Sequence, residues 1–307
     1  MELGAKVLAA VGTPRRPDGG MDEAALGRSL EFVLERGIGG IVLNGATGEY
    51  PLTTLPELDR MLRLAHAACG RQAVIVCGIG GASVRRSVEA GQLAAERGAR
   101  AVLLPMPYFF PYAQDDLEAF VQAVARELPL PALLYNLPRF TTGLELATVR
   151  TLLRQCRAVA GIKDSAGSVE ILRGLSGGSA PLPLRFVGND AMLAEALAGG
   201  WCDGVISGIA SVMPELVLEL WAQKHQPQGA EFQRAAVALA GCVAAVEQLP
   251  TPWGLKCLGE SRGLGPARIV QGVSPRRARQ MRELALWGQR WCQERAEAAK
   301  TAPTMTP

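Results

Sequence analysis

Histidine is scarce in this sequence of 307 residues, which contains only His66 and His225. Neither has a second possible ligand at a spacing typical of metal sites, so the sequence argues against a zinc centre. The seven cysteines are an odd number and form no C-x-x-C pair, which indicates reduced thiols buried as small apolar side chains. We therefore expect chemistry that uses no metal ion.

Long apolar runs and long runs of one charge are also missing. No apolar stretch reaches the length of a membrane span, and the N-terminus has no signal-peptide pattern. The net formal charge of +3 is spread along the chain, which argues against a nucleic-acid partner. The glycine-rich segment 78–81 lacks both the lysine of a phosphate loop and the spacing of a dinucleotide loop. These absences predict a cytoplasmic protein that binds no membrane, nucleic acid or cofactor.

What the sequence does contain is a regular alternation of short apolar runs and segments of helical periodicity, from Lys6 to about Ser207. Thr54 and Glu57 form a predicted capping box before one of the helical segments. Eight strands alternating with helices predict an α/β protein and favour a closed (β/α)8 TIM barrel over an open doubly wound sheet. The predicted strands are 7–11, 40–43, 73–77, 101–104, 132–134, 159–162, 184–187 and 204–206.

After Ser211 the pattern is helical only, with helices predicted near 214–224, 231–248 and 275–294. We assign the barrel strands and the helices between them to residues 1–210. Residues 211–300 then hold the eighth barrel helix and a C-terminal α-helical extension. The last residues, 301–307, are rich in threonine and proline and are expected to form a flexible tail.

A lysine stands at the end of the sixth predicted strand, where Lys163 closes the apolar run 159–162. In a TIM barrel this end of the strand is where chemistry occurs. An ammonium group is poorly solvated there, and desolvation favours the neutral amine that can attack a carbonyl group. The alternative is a lysine that ends the strand and reaches solvent or pairs with Asp164. The lysine alone does not decide between the two.

Three other strand ends carry polar or glycine-rich segments. Strand two runs into 44–49, where glycines would let backbone N–H groups and the Thr47 hydroxyl converge on a small carboxylate. Strand five ends at Tyr135, and neighbouring strands lie about 4.8 Å apart, so Tyr135 can approach Lys163 and exchange protons with it. Strand seven ends at Gly188 and Asn189. The alternatives are a tight loop at 44–49 and a packing role for the tyrosine.

These residues resemble the N-acetylneuraminate lyase and dihydrodipicolinate synthase superfamily of class I, pyruvate-dependent aldolases. The resemblance covers about residues 5–295. Six short motifs carry the resemblance. Each motif is weak alone, but the order and spacing of the six together are highly specific. The motifs are Gly45-Ala46-Thr47-Gly48-Glu49, Pro107-Tyr108-Phe109, Tyr135-Asn136-Leu137-Pro138, Gly161-Ile162-Lys163-Asp164-Ser165, Gly188-Asn189-Asp190 and Gly204-Val205-Ile206-Ser207.

The resemblance implies a role for each matching position. Lys163 would form the Schiff base with pyruvate or another 2-oxo acid, and Tyr135 would act as acid and base. Ala46 and Thr47 would hold the carboxylate, and Ile206 would line the site through its backbone carbonyl. Gly188 and Asn189 are further substrate-binding candidates. The resemblance also implies a homotetramer built as a pair of dimers.

The sequence departs from the family pattern at three of these positions. Ala46 replaces a residue that carries a hydroxyl group in most members. Phe109 replaces a tyrosine that reaches into the neighbouring subunit's site in many members. The synthase branch has an arginine for the aldehyde's carboxylate at the position of Phe140. Here Arg139 lies one place earlier, and it is a substrate-binding candidate whose guanidinium either still reaches the substrate or points elsewhere. These changes weaken the specific similarity to dihydrodipicolinate synthase more than the general similarity to an imine-forming lyase.

The sequence therefore predicts a Schiff-base lyase or aldolase that condenses or cleaves pyruvate, or a related 2-oxo acid, with an aldehyde. The first alternative is dihydrodipicolinate synthase itself, which acts on pyruvate and aspartate semialdehyde. Two further alternatives are an aldolase or dehydratase of 2-keto-3-deoxy sugar acids and a non-catalytic 2-oxo acid sensor. The sequence does not identify the aldehyde.

Overall fold

Eight short strands rich in valine, leucine and isoleucine form the centre of the molecule. The computed structural model describes residues 3–70, 72–177 and 182–301. All neighbouring strands pair in parallel, and β8 pairs with β1, which closes the barrel. This confirms the predicted (β/α)8 fold. The strands are β1 Val7–Ala10, β2 Gly40–Leu43, β3 Val74–Gly78, β4 Ala101–Pro105, β5 Ala132–Asn136, β6 Val159–Asp164, β7 Leu184–Val187 and β8 Gly204–Ser207.

Helices follow the strands and surround the barrel. The predicted capping box is present, because the Thr54 side chain accepts from the Glu57 N–H while the Glu57 carboxylate accepts from the Thr54 N–H. The helices are α1 Glu23–Glu35, α2 Leu55–Cys69, α3 Val84–Glu96, α4 Gln114–Ala125, α5 Leu146–Gln155, α6 Glu170–Ser176, α7 Leu193–Gly199, α8 Pro214–Ala222, α9 Ala230–Val246, α10 Trp253–Ser261 and α11 Pro275–Thr301. Short 3-10 turns lie at Tyr50–Leu52, Asp190–Met192 and Ile209–Ser211.

The C-terminal region contains one helix more than the sequence pattern predicted. Helix α10 was missed because Pro250 and Pro252 precede it and Gly254 and Gly259 interrupt its helix-forming residues. Helix α11 also continues to Thr301, beyond its predicted end. Residues 302–307 of the predicted tail lie outside the described residues.

Two groups of buried apolar side chains hold the barrel together. One fills the space between the strands and the outer helices, and the other fills the inside of the barrel, including Leu8, Phe186 and Ile206. Glycines make room for the large interior side chains. A Cβ on Gly204 would lie 2.4 Å from a ring carbon of Phe186. The interior is therefore a packed core, and an open cleft lies above it, at the carboxyl ends of the strands.

Within the described part of the chain, no helix is both long enough and apolar enough to cross a membrane.

Candidate active site

Lys163 and Tyr135 meet at the carboxyl end of the barrel. They are register partners on the adjacent strands β6 and β5, so their side chains leave the sheet side by side. The Nζ of Lys163 donates a hydrogen bond of 2.9 Å to the Tyr135 hydroxyl. Both residues are buried, with exposures of 2% and 3%. The structure thus brings together the two residues to which the sequence assigned the chemistry.

A cleft with about 770 Å³ of empty space opens beside this pair. Five of the other predicted site residues line it, namely Ala46, Thr47, Arg139, Gly188 and Asn189. They come from three different loops of the barrel mouth, those that follow β2, β5 and β7, which explains why they are far apart in the sequence. Their roles in binding substrate stay predictions.

The loop that carries Ala46 and Thr47 is fixed in place by polar contacts from other elements. Asn44 and Glu49 at its two ends adopt left-handed backbone conformations, with φ of 55° and 56°. The Thr13 hydroxyl donates to the Gly48 carbonyl at 2.7 Å. The Glu49 carboxylate forms a buried ion pair of 2.5 Å with Lys256 of α10. The position of the Thr47 hydroxyl therefore depends on Thr13, which follows β1, and on Lys256 from the C-terminal extension.

Two carboxyl groups lie at the mouth of the barrel, and Asp190 is the one that interacts with the charge of Lys163. Asp164 accepts hydrogen bonds from the Asn136 amide and the Ala166 N–H, and Asp190, which lines the cleft, accepts from the Ile209 N–H. Burial raises the pKa of Asp164 and of Asp190, and these hydrogen bonds only partly oppose that effect. For Asp190 the nearby charge of Lys163 also acts against the rise in pKa. Asp190 is thus the acidic group that faces the lysine electrostatically.

Arg139 lies at the rim of the cleft and has a partner there. Its guanidinium forms an ion pair of 3.2 Å with the carboxylate of Glu247. Both side chains are about half exposed. Phe140, at the position where the synthase branch has arginine, also lines the cleft. The one arginine near this position is therefore paired within the chain.

Two of the predicted site residues, Ile206 and Phe109, are not among the residues that line the cleft. Ile206 is fully buried inside the barrel, in the same apolar group as Tyr135, and Gly208 and Ile209 line the cleft beyond it. The contact predicted for its backbone carbonyl is untested. Phe109 is 85% exposed and has a φ of 87°, and its role between subunits also stays a prediction.

Sequence reasoning missed the part of the cleft wall that comes from the C-terminal extension. Val243 and Val246 of α9, Glu247 beyond its end, and Leu255 of α10 all line the cleft. Their sequence signal is an ordinary amphipathic helix, which does not show which barrel end the helix covers. Asp190 was noted only as part of a motif, although its place at a strand end could have indicated a site residue.

Comparison with known proteins agrees with this geometry. The model of the dihydrodipicolinate synthetase family matches residues 4–275. A 4-hydroxy-tetrahydrodipicolinate synthase 1 of Streptomyces coelicolor is 34% identical over 273 residues, which cover 85% of this chain and 86% of the relative. The 4-hydroxy-tetrahydrodipicolinate synthase of Bdellovibrio bacteriovorus is 31% identical over 222 residues, or 72% and 75% of the two chains.

Solved structures show the same fold. The 4-hydroxy-tetrahydrodipicolinate synthase of Methylacidiphilum fumariolicum SolV has a TM-score of 0.83 at 25% identity and covers 93% of this chain and 96% of its own. An N-acetylneuraminate lyase from Mycoplasma synoviae has a TM-score of 0.81 at 19% identity, with coverages of 94% and 97%. At that identity, the second structure shows the fold alone. The resemblance predicted from the motifs is confirmed, and the chain belongs to the dihydrodipicolinate synthetase family.

Proposed function

We propose that this protein is a class I lyase in which Lys163 forms an imine with pyruvate or a related 2-oxo acid, and which joins that acid to an aldehyde or releases it from one. The observation that carries the proposal is the buried amine of Lys163, 2.9 Å from the Tyr135 hydroxyl at the mouth of the barrel. Membership of the family and the names of its synthase relatives support the general class, a carbon-carbon lyase.

The reaction follows from the chemistry of the two side chains. Neutral Lys163 attacks the 2-oxo carbon, and the former carbonyl oxygen takes up protons and leaves as water, which gives a protonated imine. Loss of a proton from the adjacent methyl carbon forms an enamine, which attacks the aldehyde carbon while the aldehyde oxygen takes up a proton. Water then hydrolyses the imine, releases the product and restores the lysine. Tyr135 is within reach to carry protons in these steps.

The 2-oxo acid carboxylate is assigned to the loop between β2 and α2. The Thr47 hydroxyl and the backbone N–H groups of this loop provide donors, while Ala46 has no hydroxyl group to offer. Gly188 and Asn189 would flank the substrate on the other side of Lys163, and Ile206 would contribute its carbonyl. No metal or organic cofactor takes part in these steps.

The test is chemical trapping of the imine. Borohydride reduction in the presence of pyruvate should add the mass of reduced pyruvate to Lys163, since the imine becomes a stable secondary amine. The Lys163→Arg variant should give no adduct, because guanidinium stays protonated. A correctly folded wild-type protein that gives no adduct contradicts the proposal.

The more specific alternative is 4-hydroxy-tetrahydrodipicolinate synthase, which would use pyruvate and aspartate semialdehyde. The names of relatives at 31% and 34% identity favour it. Phe140 and the pairing of Arg139 with Glu247 argue against it, because they leave no free arginine at this position for a second carboxylate. A comparison of aldehydes, described below, separates the two.

We further propose a cytoplasmic homotetramer, arranged as a dimer of dimers. The neighbouring rings of Phe109 and Phe110 are 85% and 60% exposed in the single chain and contact each other edge to face. An exposed aromatic pair of this kind is typical of a surface that another subunit covers. Sedimentation equilibrium of the purified protein measures the assembly directly.

A further inference from the structure

The cleft beside Lys163 has two unlike ends. At the inner end lie Lys163, Tyr135 and Thr47, which the proposed function assigns to the 2-oxo acid. The outer part, where the aldehyde must approach the enamine, has a largely apolar wall. This wall comes from three regions of the chain and consists of Leu137, Phe140, Ile209, Val243, Val246 and Leu255.

The charged pair at the rim and the Asn189 amide have partners within the chain, whereas the buried Ser165 hydroxyl lines the cleft without a partner among the described residues. Arg139 and Glu247 neutralise each other. The Asn189 amide donates to the Ala166 carbonyl and accepts from the Ala191 N–H. Among the described lining residues, no unpaired arginine or lysine other than Lys163 faces this part of the cleft. An aldehyde that carries a carboxylate would lose its hydration here without gaining a free cation.

The apolar surface continues past Phe140. Ala46, Phe140 and Thr251 line both the cleft and an adjoining groove, so the two are continuous. The side chains of Tyr50 and Tyr108 form part of the groove wall and contact each other edge to face, with ring centroids 5.7 Å apart. The remaining wall residues are Glu49, Pro51, Leu52, Pro252 and Gln271. Glu49 is paired with Lys256.

We propose that the aldehyde partner of this enzyme is uncharged and apolar, with an aromatic ring as its body, and that Phe140 determines this specificity. The inference rests on the proposed function and adds the substrate class to it. The aldehyde carbon reaches the enamine at Lys163, while the ring lies against Phe140 and extends towards Tyr50 and Tyr108. Aromatic side chains favour a planar apolar partner because stacked and edge-to-face contacts add to the burial of apolar area.

The experiment compares benzaldehyde with aspartate semialdehyde at saturating pyruvate, using the full-length protein. The ratio of their kcat/KM values measures specificity independently of enzyme concentration. Wild type should favour benzaldehyde by about tenfold or more. Phe140→Arg places a cation at the outer wall and should move the ratio towards aspartate semialdehyde by about tenfold or more, since Phe140 is half exposed and the guanidinium can remain partly solvated.

The matched control is Val237→Arg. Val237 lies on α9, the helix that supplies Val243 and Val246, but it is 72% exposed and does not line the cleft. This variant adds the same charge and should leave the ratio unchanged. An equal shift in both variants would show a general charge effect and would overturn the assignment of Phe140.

The wild-type ratio tests the proposal even if the Phe140→Arg variant does not fold. A ratio that favours aspartate semialdehyde, or no turnover of benzaldehyde, overturns the apolar substrate class. Borohydride trapping with pyruvate alone needs no aldehyde, so an adduct together with such a ratio rejects only this inference. Absence of the adduct rejects the proposed function itself.

Discussion

Gly188 leaves space for the side chain of Lys163, which packs closely against it. A Cβ at this position would lie 2.7 Å from Cε of Lys163 and 2.2 Å from Oγ of Ser165. Both are side-chain atoms that can move, so an added methyl group displaces them rather than the strand. The residue whose position would change is the proposed nucleophile.

At the residue scale, we therefore expect Gly188→Ala to keep the fold and lose activity. Turnover should fall by about 100-fold, since a misplacement of about 1 Å is enough to cost this much. Steady-state kinetics and the thermal midpoint, measured on the same preparation, check both parts of the prediction.

The control for this prediction is Gly174→Ala on α6. Its added Cβ would also meet a side chain, 2.4 Å from Cδ2 of Leu146, but this contact is on an outer helix. Turnover should stay close to that of wild type. If the turnover of Gly188→Ala were also within threefold of wild type, the reactive position of Lys163 would not depend on the space that Gly188 leaves.

At the scale of elements, the ion pair between Glu49 and Lys256 joins α10 to the proposed carboxylate-binding loop. Its side chains are only 5% and 9% exposed, and Lys256 also donates to the Arg268 carbonyl. Removing one partner leaves a buried charge without compensation, which typically costs about 3–5 kcal/mol. The loop can escape this penalty by moving its left-handed residue Glu49 towards solvent.

We predict that Lys256→Met raises KM for pyruvate more than it lowers kcat, because the loop that holds the carboxylate shifts while Lys163 and Tyr135 stay in place. Steady-state kinetics at saturating aldehyde measure both constants. Lys256→Arg should restore much of the affinity, since it keeps the positive charge.

Arg262→Met provides a comparison within the same helical extension. Arg262 pairs with Glu215 of α8, and its side chain is equally buried, but it lines neither the cleft nor the groove beside it. This variant should lose stability without a change in KM. A similar rise in KM in both variants would mean that the extension acts only through overall stability.

At the scale of the whole molecule, Asp164 makes folding stability depend on pH. Its folded-state pKa is raised, chiefly by burial, whereas an unfolded aspartate has a pKa of about 3.9. At pH values between the unfolded-state and the folded-state pKa, Asp164 is protonated to a greater extent in the folded chain than in the unfolded chain. Its contribution to stability therefore decreases as pH rises above about 4.

We expect Asp164→Asn to become more favourable relative to wild type as pH rises above about 4. Asparagine keeps an acceptor oxygen for the Asn136 amide and the Ala166 N–H, which contact the Oδ1 atom, and it cannot ionise. Thermal midpoints of both proteins, measured at several pH values above about 4, give the difference in stability between them. The contributions of the other carboxyl groups are nearly the same in both proteins and largely cancel in this difference. A difference that is constant, or that moves against the variant as pH rises, would contradict the raised pKa.

Much of the fold could be predicted from local patterns. Strands β2 and β7 begin and end where the apolar runs predicted, and the capping box at Thr54 is present. Helix α10 could not be predicted in the same way, because its prolines and glycines oppose helix formation locally. Its stability comes from packing, since Leu255, Cys257 and Leu258 are buried against the rest of the molecule.

The sequence by itself determined the barrel, the family and the meeting of Lys163 with Tyr135, because strand periodicity and parallel pairing bring the ends of β5 and β6 to one edge. The tertiary structure decided what surrounds that pair. It placed Val243, Val246 and Glu247 over the cleft and paired Glu247 with Arg139, 108 residues away along the chain. Such contacts depend on how the C-terminal helices cross the barrel mouth, and no local pattern encodes that crossing. The proposed substrate preference is therefore a property of the folded molecule.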